Sequence, residues 1–125
     1  MSLPIHTALV GFGKAGQFLH APFIDIHVDF ELSVILERTP KTGAEAYPTA
    51  VIVRTYEEIL ADASIELIVL TTPNDTHASL AEQALLAGKH VVVDKPFTIH
   101  VADAKRLQIL SQQTGKHIFV YQNRR

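Results

Sequence analysis

The chain has 125 residues, 47% of them hydrophobic and 19% charged, with a formal net charge of −2. This composition suits one compact domain with an apolar core, and it excludes a disordered tail and the basic surface typical of nucleic-acid binding. Because there is no cysteine, disulfide scaffolds, thiolate nucleophiles and cysteine-ligated zinc are excluded as well.

Six segments rich in Val, Ile and Leu are predicted strands: Ile5–Gly11, Phe30–Glu37, Val51–Arg54, Ile65–Thr71, Val91–Asp94 and Ile118–Tyr121. Predicted helices alternate with them: one opening near Lys14, then Thr42–Tyr47, Tyr56–Ala61, a segment from Thr72–Asp75 to Gly88, and a segment from Val101 to Gly115. Strands and helices that alternate in this way predict a single α/β domain over residues 1–125, with a mostly parallel sheet.

Two of the predicted helices carry apolar stripes and terminal signals. The stripes are Leu80, Ala81, Ala84 and Leu85 in one helix, and Val101, Ala104, Leu107 and Leu110 in the other. Thr72 or Asn74 is expected to cap the start of the first helix, and Gly88 and Gly115 are placed where C-terminal caps belong.

The segment after the first strand has the pattern G-x-G-x-x-G: Gly11, Phe12, Gly13, Lys14, Ala15 and Gly16. The pattern gains meaning from its position between a strand and a helix, where the glycines allow a tight turn and close approach of backbone amides to a pyrophosphate. It predicts dinucleotide binding in a doubly wound, Rossmann-type sheet. The alternative is a turn that merely tolerates glycine.

The end of the second strand bears on the choice of cofactor. Glu37 lies 21 residues after Gly16, where a carboxylate can accept the ribose hydroxyls of NAD and repel the 2′-phosphate of NADP. Arg38 instead favours NADP, because a guanidinium can bind that phosphate. We expect NAD or NADP, with NAD slightly favoured. A solvated charge pair at a strand end is the structural alternative.

Four ordered segments resemble the Gfo/Idh/MocA oxidoreductase family: GFGKAG, PNDTH at 73–77, GKHVVVDKP at 88–96 and VYQNRR at 120–125. The resemblance extends over essentially the whole chain, and the segment FLHAP at 18–22 is similar to one branch of the family. It implies an NAD(P)-dependent oxidoreductase that transfers hydride between nicotinamide and a secondary alcohol or ketone, on a sugar or cyclitol.

The resemblance also implies roles for individual residues. Lys95 matches the catalytic lysine beside the nicotinamide ribose and the substrate hydroxyl, while Asp94 replaces the usual glutamate and Pro96 turns the chain beside the cofactor. Further expected cofactor contacts are Thr72, Pro73, Asn74, His77 and Asn123. His77 is interpreted first as a helix-start residue bonded to backbone, since a lone histidine is not specific for catalysis.

Substrate-choosing residues and the catalytic histidine of this family lie in a second domain, and no Asp-x-x-x-His pattern occurs here. We expect a fragment of a two-domain enzyme, whose parent is expected to form a homo-oligomer, and we expect the fragment to bind cofactor without turnover by itself; a naturally short protein is the alternative. A non-catalytic nucleotide sensor is the rival function, although a sensor does not need Lys95.

Other partners and sites are not expected. The seven histidines show no paired ligand spacing, so no metal site is predicted. No apolar run approaches the ~20 residues of a membrane span, and the N-terminus lacks the features of a signal peptide. The sequence therefore predicts a cytoplasmic protein with a small-molecule substrate and without membrane or nucleic-acid partners.

Overall fold

A computed structural model of the chain describes residues 4–11, 24, 28–37, 47–72, 74–94 and 100–121, with the backbone alone for Asn74, Asp94 and Tyr121. The strands are β1 (Ile5–Val10), β2 (Phe30–Leu36), β3 (Val51–Val53), β4 (Leu67–Leu70), β5 (His90–Asp94) and β6 (Ile118–Tyr121). The α-helices are α1 (Tyr56–Leu60), α2 (His77–Leu86) and α3 (Val101–Thr114), and a 3-10 turn at Asn74–Thr76 precedes α2. The helix predicted near Lys14 opens outside the described residues, as do residues 42–46 of the helix predicted at Thr42–Tyr47; Tyr47 itself is not helical.

The six strands form one sheet in the order β3-β2-β1-β4-β5-β6, and every neighbouring pair is parallel. This is the strand order of doubly wound dinucleotide-binding folds. The prediction of an α/β fold with a parallel Rossmann-type sheet is confirmed. The order reverses between β1 and β4, which makes their carboxyl ends the switch point of the sheet.

Strand ends differ from the predicted ones where nearby turns take over the backbone hydrogen bonds. β4 begins at Leu67 rather than Ile65, because the N–H of Ile65 donates to the carbonyl of Asp62 (3.1 Å) in the turn that follows α1. β1 ends at Val10, one residue before the predicted end, because Gly11 has a φ of +96°. These differences leave each predicted strand in place.

One face of the sheet is covered by the three described helices. Ala81, Ala84 and Leu85 of α2 and Leu107 of α3 are fully buried in a core that includes alternate residues of β1, β2, β4 and β5. A smaller apolar cluster lies on the opposite face and includes Leu9, Leu32, Ile35, Ala50 and Val69. Burial on both faces explains why the central strands read as continuous apolar runs.

The structure confirms one of the two predicted apolar stripes and corrects the other. The α2 stripe is confirmed, with Leu80 half-buried beside its three buried partners. The prediction that Val101 belongs to the α3 stripe is wrong, because its side chain is 71% exposed. A strict spacing of three residues rotates about 60° per step around a helix, so Val101 lies about 120° away from Leu107.

Both predicted C-terminal caps are present. After α2 the N–H of Gly88 donates to Leu85 and that of Lys89 to Ala84, each at 3.0 Å, and Gly88 has a φ of +80°. This pair of hydrogen bonds is a Schellman motif, which a residue at positive φ completes. Gly115 ends α3 with a φ of +72°. In the described part of the chain, no helix combines the length and apolar character required to cross a membrane.

Candidate functional site

The candidate site is the carboxyl edge of the sheet, defined here by Gly11, Glu37, Thr71 and Thr72, which follow β1, β2 and β4. On the two sides of the β1–β4 boundary the strand order runs outward in opposite directions. Ligands of open parallel α/β sheets bind at the strand carboxyl ends of such a switch point. The parallel register therefore brings residues that are far apart in sequence to one edge.

Gly11 leaves β1 in a conformation that few other residues adopt. Its φ is +96°, and its N–H donates to the carbonyl of Leu36 at 3.1 Å, which ties it to the end of β2. A Cβ added at Gly11 would lie 2.8 Å from Oγ1 of Thr71. Both the backbone conformation and the neighbouring side chain thus require glycine at the first position of the motif.

Glu37 directly follows Leu36 and is therefore next to the turn at Gly11. It is only 8% exposed, and its N–H donates to the carbonyl of Val53 at 3.0 Å. This burial argues against a fully solvated charge at the strand end. A carboxylate at the end of β2, close to the switch point, is in a position to accept hydrogen bonds from a ribose.

The loop after β4 is held by its own side chains. The hydroxyl oxygens of Thr72 and Thr76 are 2.6 Å apart, and Nε2 of His77 lies 3.0 Å from the carbonyl oxygen of Thr72. A carbonyl can only accept, so Nε2 carries the proton of that bond. His77 is 1% exposed, in agreement with its interpretation as a helix-start residue bonded to backbone.

Capping of α2 differs from the prediction. The N-cap residue is Thr76, without a side-chain capping bond, so the expected capping by Thr72 or Asn74 is wrong. The hydroxyl of Thr72 is paired with Thr76 instead, and Asn74 opens the 3-10 turn. Because of this short turn the α-helix begins at His77, where the imidazole can bond to the carbonyl of Thr72 in the loop.

Several predicted site residues lie outside the part of the chain that the structure describes. They are Phe12, Gly13, Lys14, Ala15, Gly16, Arg38, Pro73, Lys95, Pro96 and Asn123. The backbone of Asp94 ends β5 and is paired in register with Tyr121 of β6, which places the residue before Lys95 at the same edge as Gly11. The contacts of all these residues with a cofactor stay predictions.

Thr71 also lies at this edge and contacts the start of the turn, and the sequence did not predict that contact. Its Oγ1 donates to the carbonyl of Val10 at 2.8 Å and lies 3.1 Å from that of Gly11. The sequence showed Thr71 only as the end of an apolar run. No local signal connects it with a glycine sixty residues earlier.

The opposite, amino edge of the sheet contains a groove and a buried charge. The groove, of about 460 Å³, has a largely apolar lining that includes Phe30, His90 and Phe119. Lys89 is 3% exposed, and its Nζ donates to the carbonyls of Asp62 (2.7 Å) and Ile65 (2.9 Å). Burial lowers the pKa of Lys89, and the Asp62 carboxylate opposes that shift. Strand direction places this groove at the edge that parallel α/β sheets do not use for ligands.

Comparison with known families agrees with this geometry. Residues 5–122 match the Gfo/Idh/MocA family, described as an oxidoreductase family with an NAD-binding Rossmann fold. The match includes every described strand and the whole carboxyl edge. It confirms the resemblance stated from the sequence motifs.

Individual proteins are similar over nearly the same range. The chain is 42% identical to the uncharacterized oxidoreductase YdgJ of Escherichia coli K12, over 100% of the chain and 36% of that protein. It is 32% identical to the scyllo-inositol 2-dehydrogenase (NADP(+)) IolW of Bacillus subtilis 168, over 97% of the chain and 34% of that protein. A crystal structure from Bacteroides fragilis, of a protein provisionally described as an oxidoreductase, superimposes with a TM-score of 0.95 at 47% identity, over 98% of the chain and 38% of that structure. The chain thus spans about a third of the length of these proteins.

Proposed function

The chain belongs to the Gfo/Idh/MocA oxidoreductase family, through that family's NAD-binding Rossmann domain, and from this premise we propose that it is the cofactor-binding domain of an NAD(P)-dependent dehydrogenase. The parent enzyme would transfer hydride between nicotinamide and a secondary alcohol or ketone of a sugar or cyclitol. The cofactor supplies the hydride chemistry, and this domain binds and orients it.

The arrangement at the switch point carries the proposal. Gly11, without a Cβ and at positive φ, begins the turn whose backbone amides would hold the pyrophosphate, and the buried Glu37 follows the strand residue to which Gly11 is bonded. A bare-backbone turn and an adjacent carboxylate are the two features that a dinucleotide requires at this edge. Gly11 and Glu37 therefore support the proposal of a dinucleotide at this edge.

The catalytic part of the proposal rests on the family motifs. Lys95 would polarise the substrate oxygen, because an ammonium group favours a developing alkoxide, and a histidine outside these 125 residues would exchange the proton. The similarity to a scyllo-inositol dehydrogenase supports a polyhydroxylated substrate. Without the remaining two thirds of the relatives' length, the chain by itself would bind cofactor and not turn over. The expected cytoplasmic location and homo-oligomeric parent stay predictions from the sequence.

Cofactor preference depends on Glu37. A carboxylate at the end of β2 accepts the two ribose hydroxyls of NAD and repels the 2′-phosphate of NADP. The burial of Glu37 supports this role, since removal from water strengthens both effects. The name of the Bacillus relative specifies NADP(+), so NAD preference would be a difference between this chain and that enzyme.

Calorimetric titration with NAD⁺ and NADP⁺ side by side tests the proposal. We expect NAD⁺ to bind more tightly than NADP⁺. Glu37→Gln should weaken NAD⁺ binding about tenfold, which corresponds to the loss of one charge-assisted hydrogen bond. The same substitution should reduce the difference in affinity between NAD⁺ and NADP⁺. Glu57→Gln, at an exposed position in α1, is the matched control and should change neither affinity.

Each outcome of the titration has a separate meaning. Failure of both dinucleotides to bind would refute a cofactor-binding domain, whereas tighter binding of NADP⁺ would refute only the preference assigned to Glu37. Steady-state reduction of NAD⁺ by the 125-residue chain with an inositol or sugar present would refute the expected lack of turnover.

A further inference from the structure

We propose that Thr71 is a positioning residue of the dinucleotide-binding turn, which acts through Gly11 rather than through contact with the cofactor. The inference deepens the proposed function and rests on it. Neither the glycine motif nor the motif after β4 includes Thr71.

The hydroxyl of Thr71 anchors the end of β1 from the side of β4. Its Oγ1 donates to the carbonyl of Val10 at 2.8 Å and also lies 3.1 Å from the carbonyl of Gly11. A hydroxyl has a single proton, so the two carbonyls share it. The N–H of Thr71 donates to the same Val10 carbonyl at 3.0 Å. The main chain and the side chain of Thr71 therefore both donate to the last carbonyl of β1, directly before the turn.

The side of β2 supplies the opposite anchor. The N–H of Gly11 donates to the carbonyl of Leu36 at 3.1 Å. Gly11 is thus bonded through its N–H to one neighbouring strand and through its C=O to the other. A peptide unit is planar, so a carbonyl cannot rotate without the N–H of the same unit. An anchor on the Gly11 carbonyl therefore restrains the start of the turn that would present amides to the pyrophosphate.

Packing makes Gly11 and Thr71 interdependent. The position that a Cβ of residue 11 would occupy is 2.8 Å from Thr71 Oγ1, closer than two such atoms can approach. Glycine at residue 11 consequently does two things, because it allows a φ of +96° and leaves room for the hydroxyl. Without the hydroxyl, Gly11 would keep its conformational freedom but lose one of its two anchors.

A purely structural role for Thr71 would lead to a different experimental result. If the hydroxyl served only to satisfy carbonyls, its loss would lower the free energy of unfolding but leave the affinity of the folded protein for NAD⁺ unchanged. A positioning role instead changes the affinity measured far below the unfolding temperature, because binding must then order the turn.

The chain offers a matched control in Thr7. This threonine is fully buried in β1, and its hydroxyl donates to the carbonyl of Ile5 at 3.0 Å, on the amino side of the sheet. Thr7→Val removes the same group from a similar bond away from the turn. Thr71→Val removes the hydroxyl of Thr71 at nearly constant volume, and Thr71→Ser restores it.

The experiment measures NAD⁺ affinity by calorimetry and the unfolding midpoint of each variant. We expect Thr71→Val to weaken NAD⁺ binding about five- to tenfold, equivalent to one ordinary hydrogen bond, Thr71→Ser to bind as the unaltered chain does, and Thr7→Val to lose stability without losing affinity. Thr71→Ala, with less bulk, replaces Thr71→Val if that variant does not fold and should show the same loss.

Three results would overturn the positioning role while the proposed function stood: unchanged affinity of Thr71→Val, failure of Thr71→Ser to restore affinity, or an equal loss in Thr7→Val. Absence of NAD⁺ binding by the unaltered chain would instead refute the proposed function, and the positioning role with it.

Discussion

At the amino edge of the sheet, Lys89, His90 and His117 have partners within the same edge, whereas at the carboxyl edge Gly11 and Thr71 join three strands around a turn. Nζ of Lys89 donates to two carbonyls, and the N–H of His117 donates to Nδ1 of His90 at 2.9 Å, with the two imidazole rings stacked. These bonds hold together the segments that lead into β5 and β6. The bonds at the carboxyl edge instead hold the backbone of Gly11 at the start of the turn.

A buried charge or a shifted pKa does not by itself identify a binding site, because bonds that hold a fold together produce both. Lys89 and His90 both have lowered pKa values at the amino edge, and His90 lines the groove there. Shifted pKa values are often used to locate functional sites. Strand direction points to the other edge, because it determines where strand carboxyl ends are exposed, and our proposal follows strand direction.

We expect the greatest loss of stability from a substitution at the amino edge. Lys89→Met should lower the free energy of unfolding by about 2–4 kcal/mol, because it leaves the carbonyls of Asp62 and Ile65 without the donor they share. NAD⁺ affinity should not change, since the other edge is proposed to bind the dinucleotide. Denaturant unfolding measures the first quantity and calorimetry the second.

Lys105→Met, at an exposed position of α3, is the control for the lost charge and should leave stability nearly unchanged. A destabilisation by Lys89→Met no greater than that of the control would mean that the buried ammonium does not hold the crossover together. A loss of NAD⁺ affinity would erase the distinction between the two edges.

At the carboxyl edge, Gly11→Ala should affect both properties. The positive φ and the 2.8 Å approach to Thr71 Oγ1 should together cost about 1–3 kcal/mol of stability, and NAD⁺ binding should be lost. Gly115→Ala is the matched control, because residue 115 also has a positive φ but a Cβ there would meet nothing within 4 Å. It should cost about 1 kcal/mol and keep the affinity for NAD⁺. Normal NAD⁺ binding by Gly11→Ala would rule out a bare-backbone turn as the binding element.

The smallest effect concerns pH. Burial lowers the pKa of His90 from its ordinary value of 6.5, the charges of Lys116 and His117 add to the shift, and Glu66 opposes it. The unfolded chain then takes up this proton first as pH falls. Stability should therefore be complete above pH 6.5 and decline slightly below it, until the folded protein is protonated too.

Unfolding midpoints at pH 7.5 and 5.5 measure this decline. His90→Asn retains an acceptor for the N–H of His117 but cannot titrate, so its midpoint should fall less between the two pH values. An equal fall in both proteins would show that other groups cause the pH dependence of the amino edge.

Prediction from sequence succeeded where the signal was local. Apolar runs marked all six strands, and glycines at 88 and 115 marked helix ends, because capping depends on a few neighbouring residues. It failed for Val101, whose spacing suggested a stripe but rotates away from the core, and for Thr72, whose hydroxyl pairs with Thr76 rather than capping α2. In both cases a local pattern was compatible with two geometries, and packing selected one.

The class of fold, the glycine at the start of the turn and the family motifs could be predicted from the sequence, because each depends on contiguous residues. Tertiary structure alone decided that Thr71 meets Gly11, that Glu37 is buried next to the turn, and that Lys89 reaches across to Asp62 and Ile65. These contacts join residues that are distant in the chain. They form because parallel pairing in the order β3-β2-β1-β4-β5-β6 brings strand ends together, and no periodicity within a single segment encodes which strands become neighbours.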